Sequence, residues 1–242
     1  MQELIKTGAE QLGIELGDNQ VEQLVTYARL LVEWNEKINL TAITDNEGIV
    51  TKHFLDSLSA FKTGHVGKSV IDVGTGAGFP GLVLKIADPE IKLTLLDSLN
   101  KRITFLKAVA DELGLDDVEF VHGRAEDFAH MAQYRGAFDT VVSRAVAKMR
   151  TLAEWCIPYV KQNGYFLALK GPLADEELTD AKRVISIMGG ELKPTTEVEI
   201  PFTDLQHKII NIKKVRQTPI RFPRKPAIAA KMTVEQCYKM RK

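Results

Sequence analysis

Two periods of apolar and polar positions run along this chain, and the switch between them marks its organisation. From Asp18 to Ile38 the apolar residues Val21, Leu24, Val25, Ala28, Leu31 and Val32 recur at helical spacing, predicting an amphipathic helix. NLTAI breaks that period. Thr44 and Glu47 then form a capping-box signature for a second helix carrying Ile49, Phe54, Leu58 and Phe61, with Gly64 and Gly67 ending it. Residues 1–65 therefore read as a helical cap. From Ser69 the pattern changes to short apolar runs alternating with amphipathic segments. SVIDV, IKLTLLD, VEFVHG, FDTVVSR and GYFLALKG read as buried strands. Helices fall between them, among them NKRITFLKAVADELG with Gly114 as its C-cap and the stretch around TLAEWCIPYV. DEELTDAKRVISIMGG is one more helix, leading into EVEIP and HKIINIKKV, two extended runs separated by a short loop. The expected fold is α/β with a Rossmann-like, mostly parallel sheet whose last strand is antiparallel. Its core spans 66–216, and a basic tail follows over 217–242.

The loop between SVIDV and LVLKIA holds Gly74, Gly76, Gly78 and Gly81. A strand, a glycine-rich loop and a helix in that order form the cofactor turn of a doubly wound sheet, where ligands lie beyond the carboxyl ends of the strands. Pro80 suits the first turn of the following helix. Gly76, Gly78 and Gly81 satisfy the dinucleotide G-x-G-x-x-G pattern, and Asp97 stands where a ribose-binding acid belongs, so a nicotinamide enzyme is an open alternative. Asp72 argues against it, because a carboxylate beside the glycines repels a diphosphate. S-adenosylmethionine has no phosphate and carries two cationic groups, which suits Asp72.

Composition alters this picture little. The 242 residues are 45% hydrophobic and 26% charged, ordinary for a globular protein with one sizeable core. No run resembles a membrane span or a signal peptide, and the cysteines Cys156 and Cys237 have no metal-ligand spacing, so a reduced cytoplasm is the expected setting. Charge distribution alters it more. Net charge is zero, yet beyond His207 there are eleven basic residues against Glu235 as the only acid. That is the footprint of a polyanion partner, with Lys213, Lys214, Arg216, Arg221, Arg224 and Lys225 as candidate phosphate contacts, or else a solvated tail.

Each loop after a strand adds candidates to one crevice. Asp97 can accept two hydrogen bonds from a ribose diol, or can serve as the N-cap of the helix near Asn100. Gly123 to Asp127 lies where an adenine belongs, with Glu126 or Asp127 also able to cap a helix. Arg144 ends the fourth strand. A cation there is unfavourable beside a sulfonium, so it faces a carboxylate, a phosphate or a base's acceptor edge, or forms a structural salt bridge. Lys170 after the fifth strand, His53 on the second cap helix and Asn39 in the loop before it complete the set for positioning or RNA contact. Each also has an ordinary reading as a solvated, packed or loop residue.

Taken together, NLTAITD, KHFLDSL, IDVGTGAGFPGL, LLDSLNKRITFL, FDTVVSRAVA and FLALKG resemble the RsmG, or glucose-inhibited division protein B, family of small-subunit ribosomal RNA guanine-7-methyltransferases. The resemblance covers roughly Leu30 to Lys225. It implies a class I methyltransferase sheet, S-adenosylmethionine as cofactor and small-subunit ribosomal RNA as partner; a monomer without membrane attachment is the expected state. By the family pattern Gly74, Phe79, the backbone at Ala125 and Glu126, and Arg144 contact the cofactor. PAIAAKMTVEQCYKMRK departs from the family's short tail. A non-catalytic RNA-binding module on the same fold is a further alternative, which the intact glycine loop, Asp72 and Asp97 disfavour.

Overall fold

The structure, a computed structural model, describes residues 1–144, 146–171, 174–204 and 206–240; Arg241 and Lys242 of the basic segment lie outside them. Among the described residues eight strands form one sheet in the order β3-β2-β1-β4-β5-β8-β6, with β7 also paired to β8. Strands β1 (Ser69–Val73), β2 (Lys92–Asp97), β3 (Val118–His122), β4 (Phe138–Arg144) and β5 (Val160–Lys170) are parallel. β8 (Gln206–Lys214) runs antiparallel against β5, β6 (Gly190–Leu192) and β7 (Thr196–Glu199). Chain order reverses between β1 and β4, which opens a crevice at their carboxyl ends.

Strand alternation divides the core. Val70 faces the cluster built on the N-terminal helices α1 (Gln2–Gln11) and α2 (Asp18–Ile38), with α5 (Gly81–Ala87) and α6 (Asn100–Leu113). Ile71 and Val73 face the opposite cluster, with α8 (Met149–Cys156), α9 (Ala174–Ile187) and α11 (Val234–Lys239). Period two thus puts Asp72 on the side of Val70, toward α5. α6 stops at Gly114 in the left-handed conformation, as its sequence predicts.

The second cap helix departs from expectation. Its N-cap is Asp45, whose carboxylate accepts the Gly48 N–H at 2.7 Å, not Thr44. It is also not one regular helix. α3 (Asn46–Ile49) passes into a π-helical stretch, Val50–Leu55, then α4 (Asp56–Leu58) and a 3-10 turn, Ser59–Thr63. The wider π turn places His53 and Asp56 together where they meet Arg144 from β4. β6 is a second difference: the Gly189-Gly190 pair read as a helix end, but Gly190 already pairs with Lys214 in the sheet. Between β3 and β4 comes α7 (Ala125–Phe128), and just after it the His130 ring bonds the Pro223 carbonyl at 2.8 Å; α10 (Pro226–Ala229) and α11 follow β8.

Candidate functional site

The glycine turn is held by its two acids in different ways. Asp72 is fully buried, and its Oδ2 accepts from Thr75 Oγ1 at 2.8 Å and the Gly81 N–H at 2.9 Å. Burial raises its pKa to about 6 against those hydrogen bonds. Asp97 at the end of β2 accepts the Gly76 N–H and the Leu99 N–H, both at 2.9 Å, and Arg102 at 3.3 Å. Gly74, Gly76 and Gly78 have φ of 72°, 61° and 96°, the left-handed region that favours glycine. From the cap, the Tyr27 hydroxyl bonds the Ala77 carbonyl and fixes the turn from behind.

A cavity of about 430 Å³ lies over this turn. Gly74, Gly76, Phe79, Asp97, Ala125, Glu126, His53 and Arg144 all line it, so most of the expected site residues converge. Three do not. Asp72 points into the loop, so the expected contact of its carboxylate with the cofactor's cationic end is replaced by a loop-bracing role. Gly78 faces Tyr27, Leu82 and Leu106, where a Cβ would collide. Asn39 caps α2 in the left-handed conformation and is exposed, while its neighbours Leu40 and Thr41 reach the cavity. Lys170 lines a neighbouring cavity, bonded to the Ala147 carbonyl and to Glu177, both at 2.7 Å. Sequence reading missed Tyr27, Thr41, Arg102 and Trp155. Only Tyr27 left a trace, as a polar-tipped aromatic among the apolar positions of α2.

Arg144 carries the most connected side chain of the site. It donates to Asp56 Oδ2 at 2.7 Å and to the Lys52 carbonyl at 2.9 Å, stands 3.2 Å from His53 Nδ1, and its guanidinium lies 5.1 Å from the Phe79 ring centre. His53 Nδ1 also lies 3.1 Å from the Lys52 carbonyl, so it either accepts from Arg144 or donates to Lys52, and Nε2 stands 2.9 Å from Thr41 Oγ1. Desolvation, and then the Arg144 charge, lower the His53 pKa to about 4. His53 is therefore neutral near pH 7. Asp56 also accepts from His207 Nδ1 at 2.5 Å; that bond raises the His207 pKa, while the His207 and Arg144 contacts outweigh burial and keep Asp56 ionised.

The other expected contact surface is largely engaged inside the fold. Arg224 clasps Glu154 through Nε at 2.8 Å and Nη2 at 2.7 Å. Lys214 is buried on the Ile157 carbonyl at 2.7 Å, with its pKa lowered to about 7 by desolvation and Arg135. Arg221 bonds the carbonyls of Cys237 and Met240, and Arg216 that of Ser186 at 2.7 Å. The reading of Lys214 and Arg224 as phosphate contacts is corrected: each has its hydrogen bonds within the chain, whereas Arg221 engages only Nη1. Val234 and Cys237 are buried, so the segment is not a frayed tail either.

The residues present fit S-adenosylmethionine. A Cβ at Gly76 would meet no atom nearer than 4.0 Å, so an open cradle lies over the turn, and the buried carboxylate of Asp97 lines it. Fold and cavity together are those of a class I S-adenosylmethionine-dependent methyltransferase. Two solved structures share the fold: the YcgJ protein of Bacillus subtilis (TM-score 0.53, 16% identity, 68% of this chain and 100% of that one) and a 16S rRNA (adenine(1408)-N(1))-methyltransferase variant from Catenulisporales acidiphilia, crystallised with its cosubstrate (TM-score 0.50, 17% identity, 66% and 91%). The sequence model of the GidB family, rRNA small subunit methyltransferase G, matches residues 20–206. Ribosomal RNA small subunit methyltransferase G of Alkaliphilus metalliredigens is 49% identical over 96% of this chain and 98% of its own, and that of Clostridium perfringens 52% identical over 92% and 94%. The chain belongs to the rRNA small subunit methyltransferase G family. Both alternatives, the nicotinamide enzyme and the non-catalytic binding module, give way to that membership.

Proposed function

We propose that this protein methylates nitrogen-7 of a guanine in small-subunit ribosomal RNA, as a monomer in the cytoplasm. In this reading residues 66–216 carry the chemistry, 1–65 cover the glycine turn, and 217–242 form a basic segment. The observation that carries it is Arg144, fixed by Asp56, Lys52 and His53 in the wall of the cavity over the glycine turn. S-adenosylmethionine, when bound, supplies an electrophilic methyl group on a sulfonium; Gly74, Gly76, Phe79, Asp97, Arg144 and the backbone of Ala125 and Glu126 would hold it.

The chain's own residues then have positioning to do. Guanine nitrogen-7 has a lone pair and no proton to lose, so no general base is required, and a neutral His53 suits that chemistry. Asp56 and His53 hold Arg144 in one orientation while leaving some of its five N–H groups for an acceptor edge of the base. Rate comes from aligning two reactants, an effect of orientation and entropy. No helix among the described residues is long and apolar enough to cross a membrane, which is compatible with an RNA substrate in the cytoplasm.

The test is product identification. Unmodified small-subunit ribosomal RNA, treated with the protein and isotopically labelled S-adenosylmethionine and digested to nucleosides, is expected to yield labelled 7-methylguanosine. Label on any other nucleoside or atom sinks the assignment. In single turnover, His53→Gln is expected to keep the shape of the wild-type pH profile from about pH 6 to 8.5, where an unperturbed histidine titrates. A rise in wild type that vanishes in the variant would make His53 a base.

A further inference from the structure

A second cavity, of about 500 Å³, opens beside the first and shares His53 and Arg144 with it. Its chemistry is two-sided. Arg144, with Asp56 and His207 behind it, forms one charged region; Lys170 and Glu177 form the other. Glu177 stands in the first turn of α9. Its Oε2 accepts from the Met149 N–H and from Lys170 Nζ, both at 2.7 Å, while Oε1 has no partner among the described residues. The side chain is 29% exposed. Desolvation would raise its pKa, but the Lys170 and Met149 hydrogen bonds outweigh it and hold the group below the ordinary carboxylate range, so it is an anion at neutral pH.

We propose that Glu177 is the residue that selects guanine, accepting hydrogen bonds from the base's N1–H and 2-amino group in this second cavity while Arg144 faces the O6 edge. The inference rests on the guanine nitrogen-7 reading above. A guanine carries its acceptors, N7 and O6, along one edge and its donors, N1–H and the 2-amino group, along another. An arginine only donates and a carboxylate only accepts, so the cavity's two charged regions match those two edges. Adenine presents the reverse: its 6-amino donor meets Arg144 and its N1 acceptor meets the carboxylate. Both groups are then unpaired, which is how a site built for hydrogen bonding rejects an analogue. Lys170 acquires a role here as well. Together with the Met149 N–H it saturates Oε2, which leaves Oε1 as the oxygen available to a base.

The experiment compares small-subunit ribosomal RNA carrying guanosine or inosine at the methylated position, inosine lacking only the 2-amino group. kcat/KM is measured for wild type and Glu177→Gln, with S-adenosylmethionine affinity measured alongside. Wild type is expected to favour guanosine by at least about tenfold, the size of one missing hydrogen bond to a charged group. Glu177→Gln is expected to bring that ratio below about threefold, since Lys170 and the Met149 N–H hold the amide oxygen and turn its NH2, a donor, toward the base, while cofactor affinity stays at the wild-type value. A purely structural role for the Lys170–Glu177 pair would lower both rates and leave the ratio alone, and that result overturns the inference. Equal wild-type rates on guanosine and inosine overturn it too, whether or not the variant folds. Should the wild type form no 7-methylguanosine on the guanosine substrate, the reaction assignment falls and this inference with it; normal product with an unchanged ratio sinks the inference alone.

Discussion

The glycine turn after β1 and the segment beyond β8 use charge in opposite ways. At the turn, Asp97 binds backbone N–H groups of Gly76 and Leu99 yet still lines an open cavity, and Gly76 leaves space above it. Beyond β8, Arg224 meets both oxygens of Glu154 and a carbonyl of Met232, and Lys214 is buried on carbonyls. One region keeps unfilled hydrogen-bonding capacity facing a cavity. The other has filled it with the protein itself. Residual capacity, not charge, separates a binding residue from a structural one, and three experiments press on that distinction.

The largest effect is expected at Glu154. Its side chain is 6% exposed and that of Arg224 10%, so Glu154→Ala strands a buried guanidinium. The expected cost is about 3–5 kcal/mol of unfolding free energy by denaturant titration. A loss under about 1 kcal/mol would mean that Arg224 is free for other partners, and would restore it as a phosphate ligand.

His53 comes next. Its folded pKa of about 4 lies below the ordinary histidine value, so between those two values the unfolded chain binds the extra proton. Stability from this group therefore rises with pH and is lost as pH falls below about 6.5. Between pH 7 and pH 5 the loss is about 2 kcal/mol, which His53→Gln should remove from the wild-type pH dependence. His207 has the opposite sign: its raised pKa contributes stability below about 6.5 that fades as pH rises through the folded value. Parallel stability–pH curves for wild type and His53→Gln would show that His53 is not the buried neutral group described.

The smallest effect concerns RNA. Lys225, Lys231 and Lys239 are exposed and have no side-chain partner among the described residues. Replacing all three with Gln should reduce the slope of log affinity against log salt by up to about one unit for each phosphate no longer neutralised. Lys214→Gln should leave the slope unchanged. The reverse pattern would return the buried lysine to the interface.

What the sequence made legible follows the same division. Strands β1 to β5, the glycine turn and α6 with Gly114 announce themselves through local pattern, because burial and φ are decided within a few residues there. So does Asp97, whose position at a strand end follows from the alternation. Asp72 was legible as an acid beside glycines but not in its direction, since strand parity turns it toward Gly81 and α5. The π-helical turn at Val50–Leu55 has no periodic signature and depends on packing against Phe79 and Arg144. β6, three residues long, exists because β8 offers an edge. The cations of the last 36 residues look alike in sequence; Glu154, which decides for Arg224, is 70 positions away.

Asp97 is expected to hold S-adenosylmethionine in the cavity over the glycine turn. Calorimetric titration of S-adenosylmethionine and NAD, in parallel, into wild type and Asp97→Ala tests it most directly. One S-adenosylmethionine per wild-type chain is expected, with no NAD binding, and a weakening of about 1.5–3 kcal/mol in the variant, the range for hydrogen bonds to a charged group. Equal affinity in wild type and a folded Asp97→Ala, or NAD binding as tight as S-adenosylmethionine, would contradict it.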